Sequence, residues 1–251
     1  MEKTVLITGG TSGIGLAAAG EFMKNGYKIA LLARNKAKGS QAAAELLARS
    51  PDARIKFIPG DVSRADDCKR AVAETAAWGG SLDVLVNSAG IYFERALEDV
   101  TEDDVDRMLG VNFKGTMFMT RYAVEIMKNQ QGGCIINVSS DAGIHGNMLC
   151  STYCASKGAV NMFTRAMALE LGPYGIRINA VCPGDVLTPL TKEQLQQYPD
   201  FHQALQEMSS VYPMGRIAMP EEIASVIYFL STKEAGFVNG ALWSVDGGIT
   251  S

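Results

Sequence analysis

Short, uninterrupted apolar runs alternate along this chain with segments in which apolar residues recur every three or four positions. A strand covered on both faces reads as continuously apolar, whereas a helix lying on a sheet shows a single apolar stripe. The runs Thr4-Val5-Leu6-Ile7 and Ile29-Ala30-Leu31-Leu32 are of the first kind. The pattern predicts strands at about 4–8, 28–33, 54–60, 83–87, 133–139, 176–182 and 241–245. Helices are predicted between them at about 13–25, 37–49, 64–78, 102–128 with a break near Gly110, 151–172 and 220–230. This alternation is that of an α/β chain with a doubly wound parallel sheet of about seven strands and helices on both faces. No tandem repeat or linker divides it, so residues 1–251 read as a single domain. One connection, at about 184–219, is too long for an ordinary turn and is expected to be a substrate loop inserted within that domain.

Composition narrows the picture. The 251 residues, 47% hydrophobic, can fill one large core, and a net charge of −4 offers no excess of cations to neutralise a phosphate backbone. Nucleic acid is therefore not an expected partner. Five dispersed cysteines without CxxC spacing suit a reducing compartment, and the first strand begins too early to leave room for a leader, so a cytoplasmic location is expected. No apolar run approaches the roughly 18 residues a membrane helix requires, so no membrane partner is expected either.

The first strand runs into Thr8-Gly9-Gly10-Thr11-Ser12-Gly13-Ile14-Gly15 and then into a helix. Glycines at a strand-to-helix turn let the backbone approach a pyrophosphate that the helix N-terminus attracts, which points to a Rossmann-type dinucleotide site. The second strand ends Leu32-Ala33-Arg34, followed by Asn35, without the acid that would accept hydrogen bonds from an adenosine 2′-hydroxyl. Ala33 leaves space and Arg34 offers a permanently charged, planar donor to a 2′-phosphate, with Lys36 and Lys38 adding positive field. NADP(H) is the expected cofactor and NAD(H) the second choice.

Tyr153 and Lys157 are one helical turn apart. The i, i+4 spacing sets a phenol and an ammonium on one helix face, and the positive charge is expected to make the phenol acidic enough to exchange a proton with a substrate oxygen near neutral pH. Asp141 and His145 beside Ser140 have the residue types of a hydrolase triad, but no Gly-x-Ser-x-Gly elbow surrounds the serine. With two histidines in the whole chain, a zinc site is not expected.

Five motifs in a fixed order make the chain resemble the short-chain dehydrogenase/reductase family over essentially its whole length. They are Thr8-Gly9-xxx-Gly13-Ile14-Gly15, Asn87-Ser88-Ala89-Gly90, Asn112, Ser140 with Tyr153-xxx-Lys157, and Pro183-Gly184 leading to Thr188. The resemblance implies catalysis by Asn112, Ser140, Tyr153 and Lys157, with Ser140 orienting the substrate oxygen and Asn112 binding a water that passes protons to Lys157. It further implies that Thr8, Ile14 and the glycines line the pyrophosphate, together with Thr11 and Ser12, and that Asp61 and Val62 border adenine. Asn87, Ala89 and Gly90 would end the fourth strand at the cofactor, with Ser88 in place of the family's usual asparagine. Pro183, Gly184, Val186 and Thr188 would hold the nicotinamide side, and Tyr153 and Lys157 would also meet the cofactor.

A small carbonyl or alcohol is the implied substrate. Candidates to face it are Tyr92, Asp141, Ala142, His145, Asn147 and Asp185, with apolar Phe93, Ile144, Met148, Leu190, Phe201, Leu205 and Met208 farther out. The polar members suit a sugar or polyol and the apolar ones a hydroxysteroid-like ketone. A 3-oxoacyl-[acyl-carrier-protein] reductase shares every motif, but the arginines such enzymes carry near the fifth and sixth strands are missing from 129–134 and 172–175. A non-catalytic NADP-sensing protein is the more distant alternative, and such proteins generally lose the tyrosine or lysine. Apolar residues on more than one face of the helices near 111–128 and 151–172, such as Met117, Phe118, Met162 and Leu169, predict a homo-oligomer. The resemblance implies a tetramer or a dimer.

Overall fold

The computed structural model describes residues 2–251. Its strands are β1 (Thr4–Thr8), β2 (Lys28–Ala33), β3 (Ile55–Pro59), β4 (Val84–Asn87), β5 (Gly133–Val138), β6 (Ile176–Pro183) and β7 (Leu242–Val245), each within a residue of its predicted span. They form one parallel sheet in the order β3-β2-β1-β4-β5-β6-β7. The order reverses between β1 and β4, paired from Val5↔Val84 to Thr8↔Asn87, so the chains leaving these two strands diverge. A cleft opens at such a point beyond the carboxyl ends of the strands.

Helices cover both faces: α1 (Gly13–Lys24), α2 (Lys36–Arg49) and α9 (Pro220–Ser231) on one, α3 (Ala65–Gly79), α5 (Thr116–Gln130) and α6 (Ser151–Leu171) on the other. Because the strand side chains alternate, Val5, Ile7, Ile29 and Leu31 enter the first apolar layer, and Leu6, Ala30 and Leu32 the second. Burial on both faces is the reason the central strands carry uninterrupted apolar runs such as Val5-Leu6-Ile7 and Ile29-Ala30-Leu31-Leu32.

The expected break near Gly110 is a change of helix type and not an interruption. α4 (Glu102–Leu109) passes into a π-helical segment, Gly110–Gly115, and on into α5 without leaving helical conformation. Gly115 permits this path against β3's exit: a Cβ there would stand 2.9 Å from Val62 Cγ2. Within the insertion, α7 (Pro189–Leu195) and α8 (Phe201–Ser210) form two short helices. Its two ends meet in a neck where Val186 bridges Ala218, Leu187 N–H donates to Ala218 C=O at 2.8 Å, and Ala218 N–H donates to Asp185 C=O at 2.9 Å.

Candidate active site

The turn from β1 into α1 supplies the floor of the cleft. Gly9 and Gly13 have φ of +65° and +51°, and a Cβ on Gly9 would come within 2.9 Å of Ala89 Cα. Gly15 serves differently. Its φ is ordinary, but a Cβ would lie 2.5 Å from Gly9 C=O, so α1 packs onto its own loop only through a bare Cα. Ser12 caps α1 without a side-chain hydrogen bond, leaving the first N–H groups of the helix directed at the cleft. Glycines where a side chain would collide, facing an open helix N-terminus, fit a dinucleotide pyrophosphate.

Thr11, Ser12, Gly13, Ile14, Arg34, Asn35, Asp61, Val62, Ala89, Gly90, Pro183, Gly184, Val186 and Thr188 share one cleft of about 720 Å³ with Ser140, Tyr153 and Lys157. Arg34 is exposed at its rim, and Lys38 lines the same end. Three residues expected at the cofactor lie elsewhere. Thr8 is buried and its hydroxyl accepts from Ser88 N–H and Ala89 N–H, both at 3.0 Å, which holds the end of β4 against β1. Asn87 turns under the sheet, donating to Thr120 Oγ1 at 3.1 Å and Asn137 Oδ1 at 2.9 Å. Gly15 lies beneath the loop. All three shape the site and none lines it.

Ser140 follows β5, and Tyr153 and Lys157 stand on the first turns of α6. Lys157 is buried, donates to Val138 C=O at 2.9 Å, and lies 5.6 Å from the centre of the Tyr153 ring. Burial pushes its ammonium down to about 8. The expected acidification of Tyr153 is not found. Desolvation dominates and pushes the phenol above its ordinary value, with Asp141, Cys150 and Asp185 adding in the same direction and Ser140 opposing. The lysine points its charge at the Val138 carbonyl, so its contribution to the phenol is outweighed by desolvation.

Asn112 sits in the π-helical segment, where a wider turn displaces one residue from the regular helix face. Its Oδ1 accepts from Ile91 N–H at 2.8 Å, and its Nδ2 donates to Ile91 C=O and Ser156 Oγ, both at 3.0 Å. Those contacts fasten the loop after β4 to α6. A Cβ on Gly90 would be 3.5 Å from Asn112 Oδ1 and 3.7 Å from Lys157 Nζ, so only glycine keeps the gap between the two groups open.

Of the expected substrate residues, Tyr92, Asp141, Asn147, Asp185 and the apolar Leu190 line the cleft; Ala142 and His145 do not. Tyr92 meets the Tyr153 ring edge to face at 4.8 Å. His145 Nε2 approaches Asp141 Oδ2 at 3.4 Å and makes no contact with Ser140, the reverse of a nucleophile-activating triad. Phe93, Phe201, Leu205 and Met208 are outside the cleft, whereas Gln194, Val211, Tyr212 and Ile249, none singled out from sequence, are inside it. Tyr212 packs over Gly184, and its hydroxyl accepts from Asp185 N–H at 2.6 Å. Only the folded insertion brings it there.

A family model described as enoyl-(acyl carrier protein) reductase matches residues 9–250. The chain belongs to the short-chain dehydrogenase/reductase family. It is 37% identical to a cyclopentanol dehydrogenase of Comamonas sp. over 100% of this chain and 98% of the relative. It is 35% identical to an NADP-dependent (R)-specific alcohol dehydrogenase of Lentilactobacillus kefiri, over 99% and 97% of the two chains. The crystal structure of levodione reductase superposes with a TM-score of 0.94 at 33% identity, covering 98% of this chain and 96% of that one. The family member is thus an oxidoreductase acting on CH–OH groups with a nicotinamide cofactor.

Proposed function

We propose that this oxidoreductase interconverts a ketone or aldehyde and the corresponding alcohol with NADP(H), using Tyr153 as general acid and base. The observation that carries the reading is the convergence of Ser140, Tyr153 and Lys157 on the cleft that the glycine loop and Arg34 also line. Arg34 and Lys38 favour a 2′-phosphate at one end of that cleft, and no acid ends β2 to favour a free 2′-hydroxyl. The L. kefiri relative's stated NADP dependence supports the same choice, and NAD(H) is the weaker cofactor.

When bound, the nicotinamide supplies or takes up the hydride at the substrate carbon. In the reducing direction the neutral Tyr153 phenol gives its proton to the carbonyl oxygen; in the oxidising direction it takes that proton back. Lys157 adds positive charge near the developing phenolate, and the gap over Gly90 joins it to the Asn112 region as a route for proton replacement. The substrate end carries the carboxylates of Asp141 and Asp185 with Asn147 and Tyr92. That lining favours a neutral substrate able to donate hydrogen bonds, such as a polyol or sugar, while Leu190, Val211 and Ile249 leave room for an apolar hydroxysteroid-like ring. It disfavours a phosphorylated acyl carrier, because carboxylates there repel one.

Met117, Met162 and Leu169 remain exposed on α5 and α6, and they support assembly of a tetramer or dimer through these helices. Five free cysteines and no helix long and apolar enough to cross a membrane among the described residues are consistent with a cytoplasmic enzyme. The test is Tyr153→Phe in a cofactor-coupled screen of sugars, polyols, hydroxysteroids and β-ketoacyl thioesters. Loss of a general acid is expected to slow turnover by about 10²–10⁴-fold with NADPH binding retained. Undiminished turnover would refute the assignment.

A further inference from the structure

Three carboxylates lie at or beside the substrate end of the cleft, and two of them are already engaged. Asp141 Oδ1 accepts from Ser140 Oγ at 2.7 Å and from Ala142 N–H at 2.8 Å, and its Oδ2 faces His145 Nε2 at 3.4 Å. Glu94 Oε1 accepts from the Tyr92 hydroxyl at 2.5 Å. Asp185 differs. It is half-buried in the lining of the cleft and forms no ion pair among the described residues. Burial and the charges of Asp141 and Glu94 push its carboxyl up, and the Tyr212 hydroxyl alone opposes them. An ionised carboxylate offers about four acceptor positions, so one phenol leaves most of them for a ligand.

The backbone holds this carboxylate in place. Asp185 N–H donates to the Tyr212 hydroxyl at 2.6 Å, and its C=O accepts from Ala218 N–H at 2.9 Å. Tyr212 is itself buried and wedged over Gly184, where a Cβ would come within 2.7 Å of its Cε1. Ser139 N–H donates to Val181 C=O at 2.8 Å, which brings the chain leaving β5 through Ser140 beside the chain leaving β6 through Asp185. We propose that Asp185 is a specificity-determining residue that accepts a hydrogen bond from a second hydroxyl of the substrate, so that the enzyme favours diols, hydroxy ketones and sugars over carbonyls without that group. The proposal rests on the reading of the cleft as a carbonyl–alcohol site for a neutral substrate, and it narrows that reading. A substrate hydroxyl replaces the hydrogen bonds that the carboxylate loses when water leaves the cleft. An apolar ketone in the same place strips the carboxylate of water and returns nothing, which is how a polar site rejects an analogue one hydroxyl short.

The test uses matched pairs that differ in one hydroxyl, among them 3-hydroxy-2-butanone and 2-butanone, 2-hydroxycyclohexanone and cyclohexanone, and glucose and 2-deoxyglucose. kcat/KM is measured for each member with wild type and with Asp185→Ala, in the direction that turns over. The ratio within a pair removes effects on the cofactor, and its change between proteins removes the intrinsic reactivity of the hydroxylated member. In the pair used best, the wild-type preference for that member is expected to fall by about 10–100-fold in the variant, as for loss of a hydrogen bond to a charged acceptor. A fall of less than about tenfold in every pair, equal losses on both members included, would overturn the proposal. So would a wild type that turns over only carbonyls and alcohols without a second hydroxyl. Aminoacetone used better than hydroxyacetone, with that preference lost in Asp185→Ala, would overturn it too, by assigning the carboxylate to a cation. Should the Ala variant not fold, Asp185→Asn is read by the same ratio; asparagine is a neutral, weaker acceptor, and a fall of less than about threefold overturns the proposal. Wild-type protein inactive on every carbonyl and alcohol tested, or an unimpaired Tyr153→Phe, defeats the underlying reading of the site instead.

Discussion

Lys157→Met is expected to make the protein more stable at neutral pH while disabling it. An unfolded lysine titrates at 10.5, and burial holds Lys157 at about 8 in the native state. Each unit corresponds to about 1.4 kcal/mol, so keeping the charge buried costs about 3 kcal/mol wherever both states are protonated. Methionine removes that cost but leaves Val138 C=O without its donor, a loss of about 1 kcal/mol. The net gain is about 2 kcal/mol, or a rise in Tm of about 4–8 °C for a domain of this size. Below pH 8 the cost is fully present; between pH 8 and 10.5 the native lysine is neutral while the unfolded one still binds a proton, so the wild type gains stability as pH rises. The difference between variant and wild type should therefore be largest near pH 7 and shrink by pH 10. Calorimetry of the two proteins without added cofactor, at both pH values, measures it. A variant less stable than wild type at pH 7, or a difference that grows toward pH 10, would refute the assignment of a destabilising buried charge.

Two further outcomes follow from the same geometry. Arg34→Ala should lower kcat/KM for NADPH by about 10–100-fold, from loss of a charge-assisted contact, with little effect for NADH or on thermal stability because Arg34 is exposed; equal losses with both cofactors would remove Arg34 from selectivity. Asn112→Ala should destabilise the protein by about 2 kcal/mol by leaving Ile91 N–H and Ile91 C=O unpaired, Ser156 Oγ keeping its bond to Tyr153 C=O, and should raise hydrogen exchange in the loop after β4 before it changes the sheet.

The sheet was readable from sequence because every central strand is buried on both sides, which leaves a run of apolar residues that no helix periodicity imitates. The glycine loop was readable for a related reason: Gly9 and Gly13 occupy backbone conformations that other residues rarely adopt, and Gly15 a contact that excludes a Cβ. The break near Gly110 was readable but its π-helical form was not, since a π turn changes the hydrogen-bond register without changing composition. Side-chain direction was also hidden. Spacing alone placed Lys157 beside Tyr153, but it could not say that the ammonium would turn to Val138 C=O, nor that desolvation would outweigh its charge. Tyr212 escaped notice because its place over Gly184 depends on the path of the whole insertion and leaves no local pattern.

The closed neck of that insertion divides labour between two parts of the protein. Val186 and Ala218 are held together by backbone contacts and shared apolar packing, Thr191 Oγ1 donates to Val186 C=O at 2.6 Å, and Asp185 N–H is clasped by Tyr212 from within the loop, so Pro183 and Gly184 are held at the base of the loop and the span after Thr191 is free to vary. A segment moored in this way can be exchanged between relatives like a cassette, changing which molecule is admitted without retuning the grip on the dinucleotide.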